Sequence, residues 1–368
     1  MKSRWGYFFG ILAISGSMSL ASGQSPLPDP VPVLAPAASN AVAPSTKDIT
    51  GTATVIPATP IVAGGCLDTC LPRCNGGWSV GGGVYVMQPF FGSNPAFFTQ
   101  RTVGGATVTH QQDFSSEISV APLAYLGYTW ANGWGIRGRW FEFTSSGSAG
   151  SPINSSTTVF DATSVLGALP APAGTTATAI ASSRMILSVY DLEATYARTF
   201  DQWSFLFSAG VRYAHLSQDY SISVTDAGAN LGSVASSQTF NGLGPTLALE
   251  AHRQLGSSDF ALYGSARGSL LFGTLDQDSS ASPVIRGGSS SSTDVLPIGE
   301  LEMGGEWGHT CERFRFSAQL GVVGQIWWGG GNASQGAYLN TINIGGLPPS
   351  SAGNFGFIGG VFRAGVSF

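Results

Sequence analysis

The stretch Arg313–Trp328, RFRFSAQLGVVGQIWW, decides the fold. Phe314, Phe316, Ala318, Leu320, Val322, Ile326 and Trp328 fall on one parity, and Arg313, Arg315, Ser317, Gln319 and Gln325 on the other. Successive side chains of an extended chain point to opposite faces. One face of this strand therefore meets apolar surroundings and the other carries guanidinium groups. The final run, Phe357–Phe368 (FIGGVFRAGVSF), repeats the pattern. Ile358, Gly360, Phe362, Ala364, Val366 and Phe368 alternate with Gly359, Arg363, Gly365 and Ser367. A soluble chain usually leaves its last residues polar and loose; these read as a strand.

Composition sets the alternatives. Of 368 residues only 10% are charged, 51 are glycine and 11% are aromatic. Average soluble domains carry roughly 25% charge. No stretch of the body reaches the roughly 18 uninterrupted apolar residues of a membrane helix. What remains is strands in a membrane or a large soluble all-β protein. The net charge of −5 gives no sign of a nucleic-acid partner.

Lys2 and Arg4 precede an apolar run from Tyr7 to about Leu20, with small Ala21 and Gly23 behind it. This predicts a secretory signal peptide over 1–23, removed on export. Residues 24–77 are rich in Pro, Ala and Thr without periodicity, and predict a disordered periplasmic linker. That segment holds Cys66, Cys70 and Cys74; the fourth cysteine is Cys311. An oxidising compartment favours disulfides. One joining Cys311 to the triplet would pin the linker beneath the barrel. A zinc site using Cys311 as fourth ligand and free thiols are the competing readings. No metal or cofactor is expected.

Over 78–368, period-two segments recur at about 78–88, 115–130, 134–143, 184–200, 203–216, 239–255, 260–272, 294–308, 313–328 and 354–368. Short connections lie at 131–133, 201–202, 256–259 and 309–312, and long Gly/Ser/Ala/Thr-rich ones at 89–114, 144–183, 217–238, 273–293 and 329–353. Asn132-Gly133 is a favoured hairpin turn. Short periplasmic turns and long external loops are the habit of outer-membrane barrels, whose strand count is even. The prediction is a transmembrane antiparallel up-and-down β-barrel of ten strands. Twelve is the alternative, the extra hairpin coming from STTVFDATSVL (156–166). Aromatics near the short turns (Trp130, Trp134, Phe200, Trp203, Phe260, Trp307, Phe314, Phe368) and near the long loops (Phe141, Phe143, Phe272, Trp327, Trp328, Phe355) predict two interfacial belts.

Opposing the apolar face of each strand places Glu117, Arg137, Arg139, Asp191, Glu193, Arg212, Glu250, His252, Arg267, Glu300, Glu302, Glu306, Arg313, Arg315 and Arg363 in the lumen. Hairpin register sets Asp191 opposite Arg212, and Glu306 opposite Arg315 or Arg313. Arginine's planar fork suits partly desolvated carboxylates. The arrangement is either a ladder of ion pairs packing the bore or a charged constriction selecting solutes. The glycine clusters at 81–83 and 242–244 lead into no helix and are not phosphate loops. His110 with Asp113 and His215 with Asp219 are the only rim pairs that suggest catalysis, and neither sits in a motif; no enzymatic activity is expected.

YDLEATYARTFDQWSFLFSAGVRYAHLSQDY (190–220), FNGLGPTLALEAHRQLGSSDFALYGSARGSLLFG (240–273) and SVGGGVYVMQPFFGSNPAF (79–97) resemble the Legionella-type major outer-membrane, pore-forming protein family, in its planctomycete-like form. The resemblance covers about 78–368 and implies a pore-forming outer-membrane barrel with no catalytic residues. It also implies that the terminal Phe368 is read by the barrel-assembly machinery. The expected function is a porin-like channel for ions or small solutes. A structural or surface-interaction barrel, its lumen filled and its long loops binding a partner, is the alternative.

Overall fold

The computed structural model describes residues 76–92, 94–103, 106–154, 158–161, 168–169, 176–282, 286–311, 313–334 and 353–368. The expected signal peptide, the linker up to residue 75 and Cys66, Cys70 and Cys74 lie outside the described residues. The strands are β1 (Gly77–Phe91), β2 (Pro95–Val103), β3 (Ala106–Asp113), β4 (Ser119–Thr129), β5 (Trp134–Asn154), β6 (Thr158–Asp161) and β7 (Ala168–Leu169). They continue as β8 (Thr176–Phe200), β9 (Trp203–Asp226), β10 (Ala229–Gln254), β11 (Phe260–Ser282), β12 (Arg286–Cys311), β13 (Phe314–Trp327) and β14 (Phe355–Ser367).

Ten of them close a barrel in the order β1-β14-β13-β12-β11-β10-β9-β8-β5-β4, with β4 returning to β1. Every pairing is antiparallel; β2–β3 intervene in the chain between β1 and β4 and β6–β7 between β5 and β8, and β1–β14 is the closing seam. This is the ten-stranded up-and-down barrel. The twelve-stranded alternative is corrected. The segment proposed for its extra hairpin supplies β6, which pairs with β2 in a separate sheet ordered β3-β2-β6-β7.

Closure is what lipid demands, because an unpaired edge in hydrocarbon leaves backbone groups unsatisfied. The seam runs from Ser79↔Ser367 to Phe91↔Phe355, and Trp78 and Phe368 exchange backbone hydrogen bonds of 2.8 and 2.9 Å below it. The outer face is greasy: Leu320 is 68% exposed, and Phe316, Val322, Leu301, Leu247, Ile358 and Phe362 are exposed with it. The parity read from β13 and β14 is therefore correct.

The short turns follow from local chemistry. Asn132 accepts a hydrogen bond from the Trp134 amide at 3.1 Å, and Gly133 takes φ +86°. The aromatic belt beside the short turns stands as predicted: Trp130, Trp134, Phe200, Trp203, Phe260, Trp307, Phe314 and Phe368 are all exposed, joined by Trp78. The external belt is corrected. Phe272 and Trp328 face outward, but Phe141, Phe143, Trp327 and Phe355 are buried inside the barrel. Exposed Phe90, Tyr190 and Tyr213 take their place.

The long connections also differ from expectation. The wall continues as paired strand to Asn154↔Thr176, to Asp226↔Ala229 and to Ala281↔Arg286. The β9–β10 hairpin closes on Ala227-Gly228, with φ +45° and +86°. Two left-handed residues make a turn whose twist matches that of the strands. Along β9 the outward side chains run Phe207, Val211, Tyr213 and then Ser217, Asp219, Ser221; the inward ones run Ser208, Arg212 and then Leu216, Ile222, Val224. Polarity thus inverts between faces where the strand leaves the bilayer. In hydrocarbon the outer face is apolar; beyond it the outer face meets water and the inner one packs a core. From Trp203 to Tyr213 a tilted strand rises about 25 Å, the height of the apolar band.

The lumen as candidate functional site

Three layers fill the bore, and each is set by inward positions of successive strands. The first is charged. Asp191 and Arg212 are register partners on β8 and β9, as predicted. Arg212 is wholly buried and donates to Asp191 through Nε at 2.7 Å and Nη2 at 2.9 Å. It also pairs with Glu300 on β12. Arg137 donates to Glu193 at 2.9 Å and to Glu250 at 2.6 Å. Arg267 pairs with Glu193 and lies 3.6 Å from Asp191 and 3.9 Å from Glu300. Arg139 lies 3.9 Å from Asp191. Several of these pairs skip strands: Arg137 and Glu250 are on β5 and β10, and Arg212 and Glu300 on β9 and β12. They are chords across the barrel rather than rungs of its wall.

Nearer the short turns a second network joins the first around a cavity. Arg363 pairs with Glu302 and donates to Gln319 at 3.0 Å. Gln319 donates to Glu306 at 2.8 Å, and Glu306 also meets His252 at 3.0 Å and Arg315 at 3.4 Å. Six guanidiniums (Arg137, Arg139, Arg212, Arg267, Arg315, Arg363) thus meet six carboxylates (Asp191, Glu193, Glu250, Glu300, Glu302, Glu306). The layer is formally neutral. Desolvated ions of one sign would be costly here, and pairing with hydrogen bonds offsets that cost.

Two predicted lumen residues are not in it. Arg313 is exposed in the turn between β12 and β13, because alternation ends where the strand ends. Glu117 is exposed and precedes β4. The β12–β13 register is also corrected: Glu306 faces Gln319, and Arg315 faces Thr310 and reaches Glu306 diagonally. The inward glycines have a steric reason. A Cβ at Gly81 or Gly365 would strike the Tyr125 hydroxyl, so the ring lies across two strands whose side chains are absent.

The second layer is apolar. Phe141, Phe143, Leu187, Leu216, Phe240, Leu271, Ile298, Trp327, Phe355 and Phe357 form one buried cluster. Phe143 and Phe357 ring centroids lie 4.6 Å apart although β4 and β1 separate their strands. Trp327 stacks on Phe355 at 5.7 Å. The Phe143–Phe357 contact thus bridges two intervening strands inside the bore, while Trp327 and Phe355 are register partners on adjacent ones.

The third layer comes from two external connections folded inward. The Tyr220 hydroxyl donates to the Ala96 carbonyl at 2.6 Å. Gln218 accepts from the Ala333 amide at 3.0 Å, and Gln238 donates to the Gly330 carbonyl at 3.0 Å. Asn332 donates to Asn94 at 2.8 Å, tying the two connections together. Ala96, Phe97, Phe114 and Ala333 pack there against Ala177, Ala179, Ala181, Ile222 and Val234. Sequence reading missed Gln218, Tyr220 and Gln238. Their signal is inward parity on the continuation of β9 and β10, legible only once those strands are known to continue.

Cys311 ends β12 as an exposed residue with no disulfide partner among the described residues; Cys66, Cys70 and Cys74, its expected partners, lie outside them. Among the described residues no group of three or more His, Cys, Asp or Glu side chains is placed to hold a metal ion. His215 faces outward, its Nδ1 2.7 Å from Asn241 Oδ1.

The family model described as Legionella pneumophila major outer membrane protein precursor matches residues 70–368. No curated protein matches the chain. Among solved structures, the outer membrane protease OmpT from Escherichia coli is similar at 10% identity and a TM-score of 0.46, covering 82% of this chain and 99% of its own. A Pseudomonas aeruginosa FadL homologue is similar at 8% identity and a TM-score of 0.28, covering 80% and 90%. The Pseudomonas putida toluene transporter TodX is similar at 9% and 0.19, covering 80% and 89%. The chain belongs to the Legionella major outer membrane protein family and is an outer-membrane β-barrel.

Proposed function

We propose that this family member is a lumen-filled barrel that acts at the cell surface through its external hairpins, as a structural or surface-interaction protein. One observation carries the reading: the apolar layer from Phe143 to Phe357 interrupts the polar lining of the bore. A solute path needs polar groups or water along its length, and apolar constrictions dewet. The neutrality of the charged layer supports the same reading, since it offers a permeating ion no net attraction.

The porin-like channel for ions or small solutes is the second reading. The continuous charged layer favours it, with Arg137, Arg212, Arg267 and Arg363 facing Asp191, Glu193, Glu250 and Glu302 as its constriction. Purified protein in planar bilayers separates the two. The filled barrel gives no regular conductance steps; stable steps with an ion preference would replace this reading with the channel. We assign no enzymatic activity. Export through a cleaved signal peptide, insertion by the barrel-assembly machinery and contact with outer-membrane lipid belong to the same proposal.

A further inference from the structure

On the periplasmic side of the apolar layer the lumen holds a cavity of about 170 Å³, lined by Arg137, Arg139, Arg315 and Arg363 among others. Its arginines are unequally served. Arg137 donates to Glu193, Ser208 and Glu250, and Arg363 to Glu302, Gln319 and Tyr85. Arg139 has the 3.9 Å ion pair with Asp191, whose two oxygens Arg212 already occupies at 2.7 and 2.9 Å. Arg315 reaches Glu306 at 3.4 Å, while Gln319 and His252 hold that carboxylate at 2.8 and 3.0 Å. A guanidinium has five N–H donors. Two of these arginines, on β5 and β13, therefore bring spare donors to one chamber. Tyr263 also lines the chamber, with its hydroxyl buried against Gly321 of the wall. Ser317 and Ser367, near the periplasmic ends of β13 and β14, line its other side.

We infer that this chamber is a binding site for a small oxyanion, a carboxylate or phosphate, entering from the periplasm. Arg139 and Arg315 supply charge and paired N–H groups, a fork that two oxygens of a carboxylate or phosphate match. The space equals that of about five or six waters, enough for an anion of four to six heavy atoms. Asp191, Glu250 and Glu306 also border the chamber, and each is already held by the contacts above, so they do not cancel the spare guanidinium capacity.

The test uses the full barrel in detergent micelles, titrated with inorganic phosphate and, separately, acetate, against chloride at matched ionic strength. Calorimetry reads binding and tryptophan fluorescence reads the melting temperature. Saturable binding with a rise in melting temperature is expected, weakened about tenfold or more in Arg139→Gln, the loss of charge-assisted hydrogen bonds. Ser265→Leu fills the chamber from between its register partners Glu250 and Glu302, and is expected to abolish binding while the barrel still folds in chloride. Saturation by acetate alone identifies a carboxylate ligand, and by phosphate alone a phosphate. No saturable binding of either, or binding undiminished in Ser265→Leu, overturns the proposal.

Discussion

Replacing Arg212 by methionine tests the filled lumen at its centre. The guanidinium is wholly buried and makes two hydrogen bonds to Asp191, of 2.7 and 2.9 Å, besides its pair with Glu300. Methionine keeps most of the reach and removes the charge. Asp191 then retains Arg267 at 3.6 Å and Arg139 at 3.9 Å, and Glu300 retains Arg267 at 3.9 Å, all beyond hydrogen-bond range. Breaking one side of a buried ion pair costs about 3–5 kcal/mol, mostly for the charge left behind. The residual arginines soften that, so a loss of about 3 kcal/mol is expected. Adding Asp191→Asn neutralises the stranded carboxylate, and the double variant should fall short of additivity by about 1–2 kcal/mol. Urea unfolding in lipid vesicles, followed by tryptophan fluorescence at constant m, reads both numbers. A cost for Arg212→Met below about 1 kcal/mol, or strict additivity in the double variant, would refute the view that the layer packs the bore.

Four further outcomes are expected. Leu320→Arg puts a charge on the lipid face and should cost about 2–4 kcal/mol in vesicle unfolding if it sits near the bilayer midplane. Phe143→Ala removes a ring that spans the apolar layer; it should cost about 3–5 kcal/mol and create bilayer conductance where the parent gives none. Ala227→Asn relieves a left-handed alanine at φ +45°, so hydrogen exchange at the β9–β10 tip should slow by up to about fivefold, a gain of about 1 kcal/mol. Deleting Phe368 removes both backbone bonds to Trp78 and one belt ring, and should lower the heat-modifiable, folded fraction recovered from outer membranes.

The membrane-spanning part of the fold was legible because lipid enforces a one-sided pattern, and Phe316, Leu320 and Phe362 report it without ambiguity. The same rule failed where its cause ends. Beyond Tyr213 the outer face meets water, so Ser217, Asp219 and Ser221 read as loop when they are strand. The turn that closes this hairpin, Ala227-Gly228, lacks the Asn or Asp that advertises such turns. Phe141 and Phe143 share the parity of Arg137 and Arg139, so alternation places them inside; their nearness to a long loop suggested a belt instead. The rung Asp191↔Arg212 followed from hairpin length. The chord from Arg137 to Glu250 needed the curvature of the closed sheet, which no local pattern encodes.

The long ladder of β9 and β10 has a mechanical consequence. From Tyr213 to the hairpin tip the pair runs about 40 Å of strand, in register except for a bulge at Leu231 next to the tip. A tether gripping that tip would pull along the strands, shearing many backbone bonds together rather than peeling them singly. Force applied outside the cell would thus reach the bilayer ring with little give, as through a mast stepped in its keel.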